Sequence, residues 1–236
     1  MNNPFDFFEK ICCINLDRRP DRWKDCQDNF KKLGILERVE RFPAMDYSTS
    51  ENIPAGLRGK FGCTHSHLEI IRRAKHMMLK NILIFEDDIH LHRPADEIQK
   101  AVGAGTSELP DNWEMLYLSA NPLDNPNSLN DFSPSLCQLN LAFTTHAFAV
   151  NHTAYDLILN DINTPDDLLN LISMILEKHV SIDGYLMAKV FPNQKSYIAK
   201  KLLFSQRNSF SDIDYDNRDL NNLLIENYSK QALLEA

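Results

Sequence analysis

The chain has 236 residues, enough for one α/β domain or two small ones. Its 43% hydrophobic and 25% charged content is that of an ordinary soluble globular protein, and no apolar run approaches the ~20 residues of a membrane-spanning helix. A formal net charge of −8 excludes a nucleic-acid coat protein, whose affinity rests on Lys and Arg against phosphates, but leaves open a local basic pocket for a small anion.

The N-terminal MNNPFDFFEK lacks a basic region followed by an apolar stretch, so it does not read as a signal peptide, and the protein is expected in the cytoplasm. KICCINLD (10–17) is a short apolar run rich in β-formers and predicts a strand that ends in the polar RRPDR. Pro20 suits the first turn of a helix, Trp23, Cys26, Phe30 and Leu33 fall on one helical face, and Gly34 suits its end. ERVERFPAM (37–45) predicts a second strand delivering Asp46 at its tip. STSENIPAGLRGKFG (48–62), with three glycines, reads as a loop with tight turns or close backbone approach. A helix follows, with Leu68, Ile71, Ala74 and Met78 as its apolar stripe and Thr64 or Ser66 as its cap.

NILIFEDDIHLH (81–92) predicts a buried strand running into Glu86, Asp87 and Asp88. ADEIQKAV reads as a helix, WEMLYLS (113–119) as a strand, and LNLAFTTHAFAVN (139–151) as one long strand or a pair. HTAYDLILNDI and PDDLLNLISMILEKHV read as helices. A single domain is expected over 1–212, with a polar tail over 213–236 that is helical near 219–234. The five cysteines (Cys12, Cys13, Cys26, Cys63, Cys137) are odd in number without a CxxC pair, so reduced, mostly buried thiols are expected. Alternating β and α through residue 120 predicts an open, mostly parallel sheet, with ligands at the carboxyl ends of its strands. Residues 15–22, Asp46 and Glu86 to Asp88 all follow strand ends, so three polar clusters should meet on one edge.

On an extended backbone Glu86 and Asp88 share a face and Asp87 points away. Oxygens on one side with room for water or phosphate suit Mg²⁺ or Mn²⁺; the competing reading is a solvated acidic turn. His90 and His92 would share that face if the strand continued, yet no closed four-ligand spacing supports zinc. Arg18, Arg19 and Arg22 at a helix start suit a diphosphate, or are a solvated helix start with Asp–Arg pairs. Neither GxGxxG nor GxxxxGK[ST] occurs. His65 and His67, in the first turn of their helix, could face a ligand or be ordinary polar helix-start residues.

INLDRRPDRW (14–23), FPAMD (42–46), GKFGCTHSHLEIIRRA (59–74) and ILIFEDDIHL (82–91) occur in the order and spacing of glycosyltransferase family 25, and WEMLYLS, SIDGYL (181–186) and SQRNSFSDI (205–213) resemble further family blocks. The resemblance spans roughly residues 10–213. It implies a GT-A-type α/β nucleotide-sugar fold, an inverting mechanism, a UDP-sugar donor with Mn²⁺ (or Mg²⁺), and a glycan or glycoprotein acceptor. Galactose is the family's commonest donor sugar. By matching motifs, Asp88 would ligate the metal, with Glu86 as a second metal or ribose contact beside Asp87. Asn15, Arg18, Arg22, Asp46, Ser66, His67, Gln206, Ser211 and Asp212 would bind the donor. Asp183 matches the acid of the late D-x-x-L block and is the candidate base, with Glu177 and Asp212 as fallbacks; it equally suits a first-turn helix acid. Where many relatives carry a glycine-aromatic pair this chain reads Thr145-His146-Ala147-Phe148, so the acceptor side is expected to differ. A nucleotidyltransferase and a non-catalytic binding module are the alternatives, and an oligomer is left open.

Overall fold

Along strands β1 (Lys10–Asn15) and β3 (Asn81–Glu86) successive side chains are buried on opposite faces of one sheet. Cys12, Ile14, Ile82 and Ile84 enter one core cluster, while Ile11, Cys13, Leu83 and Phe85 enter another. A strand with both faces covered needs apolar residues at every position, which is why these runs do not alternate with polar residues. The structure is a computed structural model, and it describes residues 3–123, 125, 127–159, 164–177, 181–207 and 228.

The remaining elements follow in chain order. They are α1 (Pro20–Lys32), β2 (Val39–Pro43), α2 (Arg58–His76), β4 (Ile89–Leu91), α3 (Ala95–Glu108), β5 (Met115–Pro122), β6 (Leu129–Asp131) and β7 (Leu136–Leu139). Then come β8 (Ala142–Asn151), α4 (His152–Leu159), α5 (Pro165–Glu177), α6 (Ile182–Lys189), β9 (Ser196–Ala199) and β10 (Phe204–Gln206). The main sheet has the order β2-β1-β3-β8-β5-β9-β7-β6, and β4 pairs with β10 in a separate ribbon. Combining the pairings, six of the eight strands run in one direction and β7 and β8 are reversed. The expected α/β architecture with a mostly parallel sheet is therefore present. Residues of α2, α4, α5 and α6 pack on one face and residues of α1 and α3 on the other.

Several local expectations need correction. The segment 48–62 is not all loop: α2 begins at Arg58, preceded by a 3-10 turn over Ala55–Leu57. Gly62 lies inside the helix, where a Cβ would stand 2.2 Å from the Met45 carbonyl oxygen. Close backbone approach explains that glycine better than a turn does. Neither Thr64 nor Ser66 caps the helix, since both lie beyond its first turn and are buried. Met78 falls past the helix end, at φ +55° and 87% exposed, so it takes no part in the buried stripe. The 81–92 strand breaks at Glu86 and resumes as β4, so strict alternation does not carry from Glu86 to His92. The 139–151 stretch is the end of β7 followed by β8. β6, β9 and β10 have no counterpart in the sequence reading. The tail expectation for 213–236 lies outside the described residues except Tyr228, which is fully buried in the core cluster that faces α2.

Candidate active site

Strands β1, β2 and β3 are parallel neighbours, so their carboxyl ends share one edge, and the polar residues that follow them come together there. Asn15 is buried at the end of β1. Its Nδ2 donates to Asp87 Oδ2 at 2.6 Å and to the Arg19 carbonyl at 3.0 Å, while its Oδ1 accepts from Arg41 Nε at 2.8 Å. Arg22, on the first turn of α1, donates to Asp87 Oδ1 at 2.8 Å. Asp87 is thus held from two sides and points toward α1, away from its neighbours. Burial pushes the Asp87 carboxyl above the usual range despite Arg22 and Asn15. Arg18 sits 3.5 Å from Asp46, both well exposed, and Asp46 Oδ1 accepts from the Ser48 amide. Ser66 accepts from the Met45 amide at 2.9 Å and donates to the Gly62 carbonyl at 2.7 Å, tying the loop after β2 onto α2.

Beside this network lies a cavity of about 300 Å³. Its walls include Lys60, Cys63 and Thr64 of α2, Glu86 at the end of β3, Thr144 and Thr145 of β8, Asp183 of α6, and Gln206 of β10. Of the residues expected from sequence, Glu86, Asp183 and Gln206 meet here. Asn15, Arg22, Asp87 and Ser66 form the framework beside it. Glu86 Oε1 accepts from Thr145 Oγ1 at 2.7 Å and is 3.0 Å from His67 Nε2, itself fully buried. Burial alone would raise the Glu86 carboxyl, but the His67 imidazole and the Thr145 hydroxyl outweigh it and hold the group below the usual range.

Asp88 follows in the turn after β3, where Gln206 Nε2 donates to its Oδ2 at 3.2 Å. Its Oδ1 is buried without a hydrogen-bond partner among the described residues. Burial, reinforced by repulsion from Glu86 and Asp87, pushes the Asp88 carboxyl up to about 7. The Arg22 guanidinium and the Gln206 amide oppose this rise without offsetting it. Carboxylate oxygens such as those of Glu86 and Asp88 are the donor type that Mg²⁺ and Mn²⁺ take. The set that converges among the described residues is softer: ligand atoms of Cys63, His67 and Glu86 lie within 4.8 Å of one another, and Asp88 is not among them.

Asp183 lies in the first turn of α6 with both oxygens engaged. Oδ1 accepts from Ser181 Oγ and from the Gly184 amide at 2.9 Å, and Oδ2 accepts from the Thr144 amide at 3.1 Å. Ser211 and Asp212 lie outside the described residues, as does the side chain of Glu177. Lys60 and Thr144 are absent from the sequence reading of the site, and Thr145 entered it only as part of the stretch expected to differ on the acceptor side. Lys60 precedes Gly62 in a stretch read as loop, and a threonine such as Thr144 in a β-forming run carries no sign of facing a cavity.

An α/β sheet with a carboxylate-lined cavity at its carboxyl edge defines a class of ligand-binding and catalytic proteins. The family model for glycosyltransferase family 25 (LPS biosynthesis protein) matches residues 8–214, and the chain belongs to that family. A glycosyltransferase 25 family member of Drosophila pseudoobscura pseudoobscura is 33% identical over 100 residues, covering 34% of this chain and 16% of the relative. Its counterpart in Drosophila melanogaster is 34% identical over 100 residues with the same coverage of 34% and 16%. The match therefore spans about one sixth of these curated relatives. Among solved structures, a mannose-1-phosphate geranyltransferase from Thermus thermophilus aligns with TM-score 0.48 and 11% identity, over 80% of this chain and 72% of that one. A glycosyltransferase involved in glycosylation of the major capsid of PBCV-1 aligns with TM-score 0.46 and 10% identity, over 80% and 79%. Among the described residues no helix is long and apolar enough to cross a membrane.

Proposed function

We propose that this protein is an inverting glycosyltransferase on a GT-A-type fold that moves a hexose, galactose first among candidates, from a UDP-sugar to a hydroxyl of a glycan or hydroxylysine-type acceptor. The observation that carries the reading is one cavity walled by two carboxylates from separate elements, Glu86 of β3 and Asp183 of α6, with the buried Asp88 in the turn that follows Glu86. Membership of family 25 supports the transferase part.

An inverting transfer is a displacement at the anomeric carbon: the acceptor oxygen forms the new bond as the diphosphate leaves with the old bonding pair. Asp183 takes the acceptor proton, since the base must face the sugar opposite the leaving group and cannot be a carboxylate engaged with a cation. Asp88 and Glu86 would hold Mn²⁺ or Mg²⁺, which when bound supplies Lewis-acid neutralisation of the leaving diphosphate. His67 and Thr145 orient Glu86, and Lys60 gives the cavity wall a cation on the side of α2. Gln206 braces Asp88, and Arg18 and Asp46 extend the donor side along the sheet edge.

The test is a hydrolysis screen of UDP-, GDP- and CMP-sugars with Mn²⁺. UDP release that disappears in Asp88→Asn supports the reading. Pyrophosphate release in place of UDP would show a nucleotidyltransferase. Calorimetry that detects no UDP binding with Mn²⁺ would favour a non-catalytic module.

A further inference from the structure

Thr144 has φ +72°. A β-branched residue in the left-handed region is a genuine outlier, since its Cβ crowds the backbone, and such strain persists only where surrounding structure enforces it. The cause lies in the pairing of β5 with β8. Ser119 faces Ala147 and Asn121 faces Phe143, so Thr144, Thr145 and His146 stand opposite the single residue Ala120. The extra residues form a bulge, a device that bends a strand and re-aims its groups.

What the bulge re-aims is specific. The Thr144 amide, no longer available to the ladder, donates to Asp183 Oδ2 at 3.1 Å. The next side chain, Thr145, donates to Glu86 Oε1 at 2.7 Å. His146 is fully buried beneath, with Nδ1 3.2 Å from Thr144 Oγ1. Two consecutive residues of one strand therefore contact both carboxylates of the cavity, one on β3 and one on α6. A regular β8 would present neither contact in this order, because successive side chains alternate faces and amides engage the neighbouring strand.

We propose that the β8 bulge is the spacer that sets the separation of the two carboxylates, with Thr144 a positioning residue for Asp183 through its backbone N–H. The inference rests on the reading of Asp183 as the base. In that reading the Thr144 amide and the Ser181 hydroxyl fix the carboxylate plane, and the strain at Thr144 is the energetic cost of presenting that amide.

The decisive variant replaces Thr144 by its α-hydroxy acid through nonsense suppression, which deletes one N–H and keeps the side chain. In UDP-sugar turnover with Mn²⁺, kcat falls roughly tenfold, the scale of a lost hydrogen bond to a charged group, while donor KM stays within about twofold. Thr144→Gly keeps the N–H and accepts positive φ, so in its crystal structure the Asp183 carboxylate stays on its site. A hydroxy-acid variant with wild-type kcat, or a Thr144→Gly variant whose Asp183 carboxylate leaves its site, overturns the proposal. If the wild-type protein turns over no nucleotide sugar, the transfer reading alone falls. The proposal is then judged from crystal structures of wild type and hydroxy-acid variant: an Asp183 carboxylate that swings off its site supports it, and an unmoved one overturns it.

Discussion

Three adjacent carboxylates have three different fates because their partners come from different parts of the chain. Asp87 is engaged by Asn15 and Arg22, Glu86 by His67 and Thr145, and the Asp88 carboxylate, among the described residues, accepts a hydrogen bond from Gln206. Removing Arg22 would leave Asp87 buried without its cation, so Arg22→Met should destabilise the fold by about 3 kcal/mol, read from the urea midpoint. Thr145→Val should instead leave stability within about 1 kcal/mol and lower turnover roughly tenfold, because it removes one hydrogen bond from Glu86 and little packing. Glu69 supplies a pH signature away from the cavity. Burial opposes its ionisation, yet Arg72 and Arg73 outweigh that and hold its carboxyl below the ordinary 4.5. A lowered folded-state value means a stabilising contribution that is complete above about pH 5 and lost as pH falls through the folded value. Glu69→Gln should therefore lose stability at neutral pH and show a flatter acid limb in thermal melts. The identity of the three acids was visible in NILIFEDDIHLH. Their partners were not, since these lie 19 to 118 positions away.

At the scale of elements, the sequence pattern succeeded wherever burial follows a simple period. The helical face Cys26, Phe30 and Leu33 is fully buried, and Gly34 ends its helix region at φ +67°. β1, β3 and β5 are apolar runs covered on both sides. It failed where tertiary contact overrides local preference. Gly56, Gly59 and Gly62 suggested a loop, yet the last two lie in α2. Gly62 is needed there because the Met45 carbonyl crosses the helix. Gly62→Ala should push the two apart and cost about 2 kcal/mol or more in denaturant unfolding, as overpacking does. Thr144 misled in the opposite sense, as a good strand former occupying the one conformation strands avoid. The short β9 and β10 owe their existence to partners already in place, β5 and β7 for the first and β4 for the second, and not to their own composition.

At the scale of the molecule, one sheet separates two apolar layers, and the layer facing α2 also contains Tyr228. Tyr228 is fully buried there. Tyr228→Ala should therefore lower stability by about 3 kcal/mol, as for other buried aromatic truncations. Circular dichroism melts would show this as one cooperative transition at lower temperature, whereas a dispensable tail would leave the melt unchanged.

The ribbon of β4 and β10 has a consequence for how the protein is made. Gln206 reaches the cavity only because Phe204 to Gln206 pair with Ile89 to Leu91, a contact spanning more than a hundred residues. Cavity walls are drawn from Lys60 through Gln206. β1, β2 and β3 can pair as soon as they are made, but Asp88 gains its Gln206 partner only after more than a hundred further residues have been added. Completion of the pocket is therefore a late event in sequence order: a chain cut before Gln206 carries the acidic turn but not the side chain that braces Asp88.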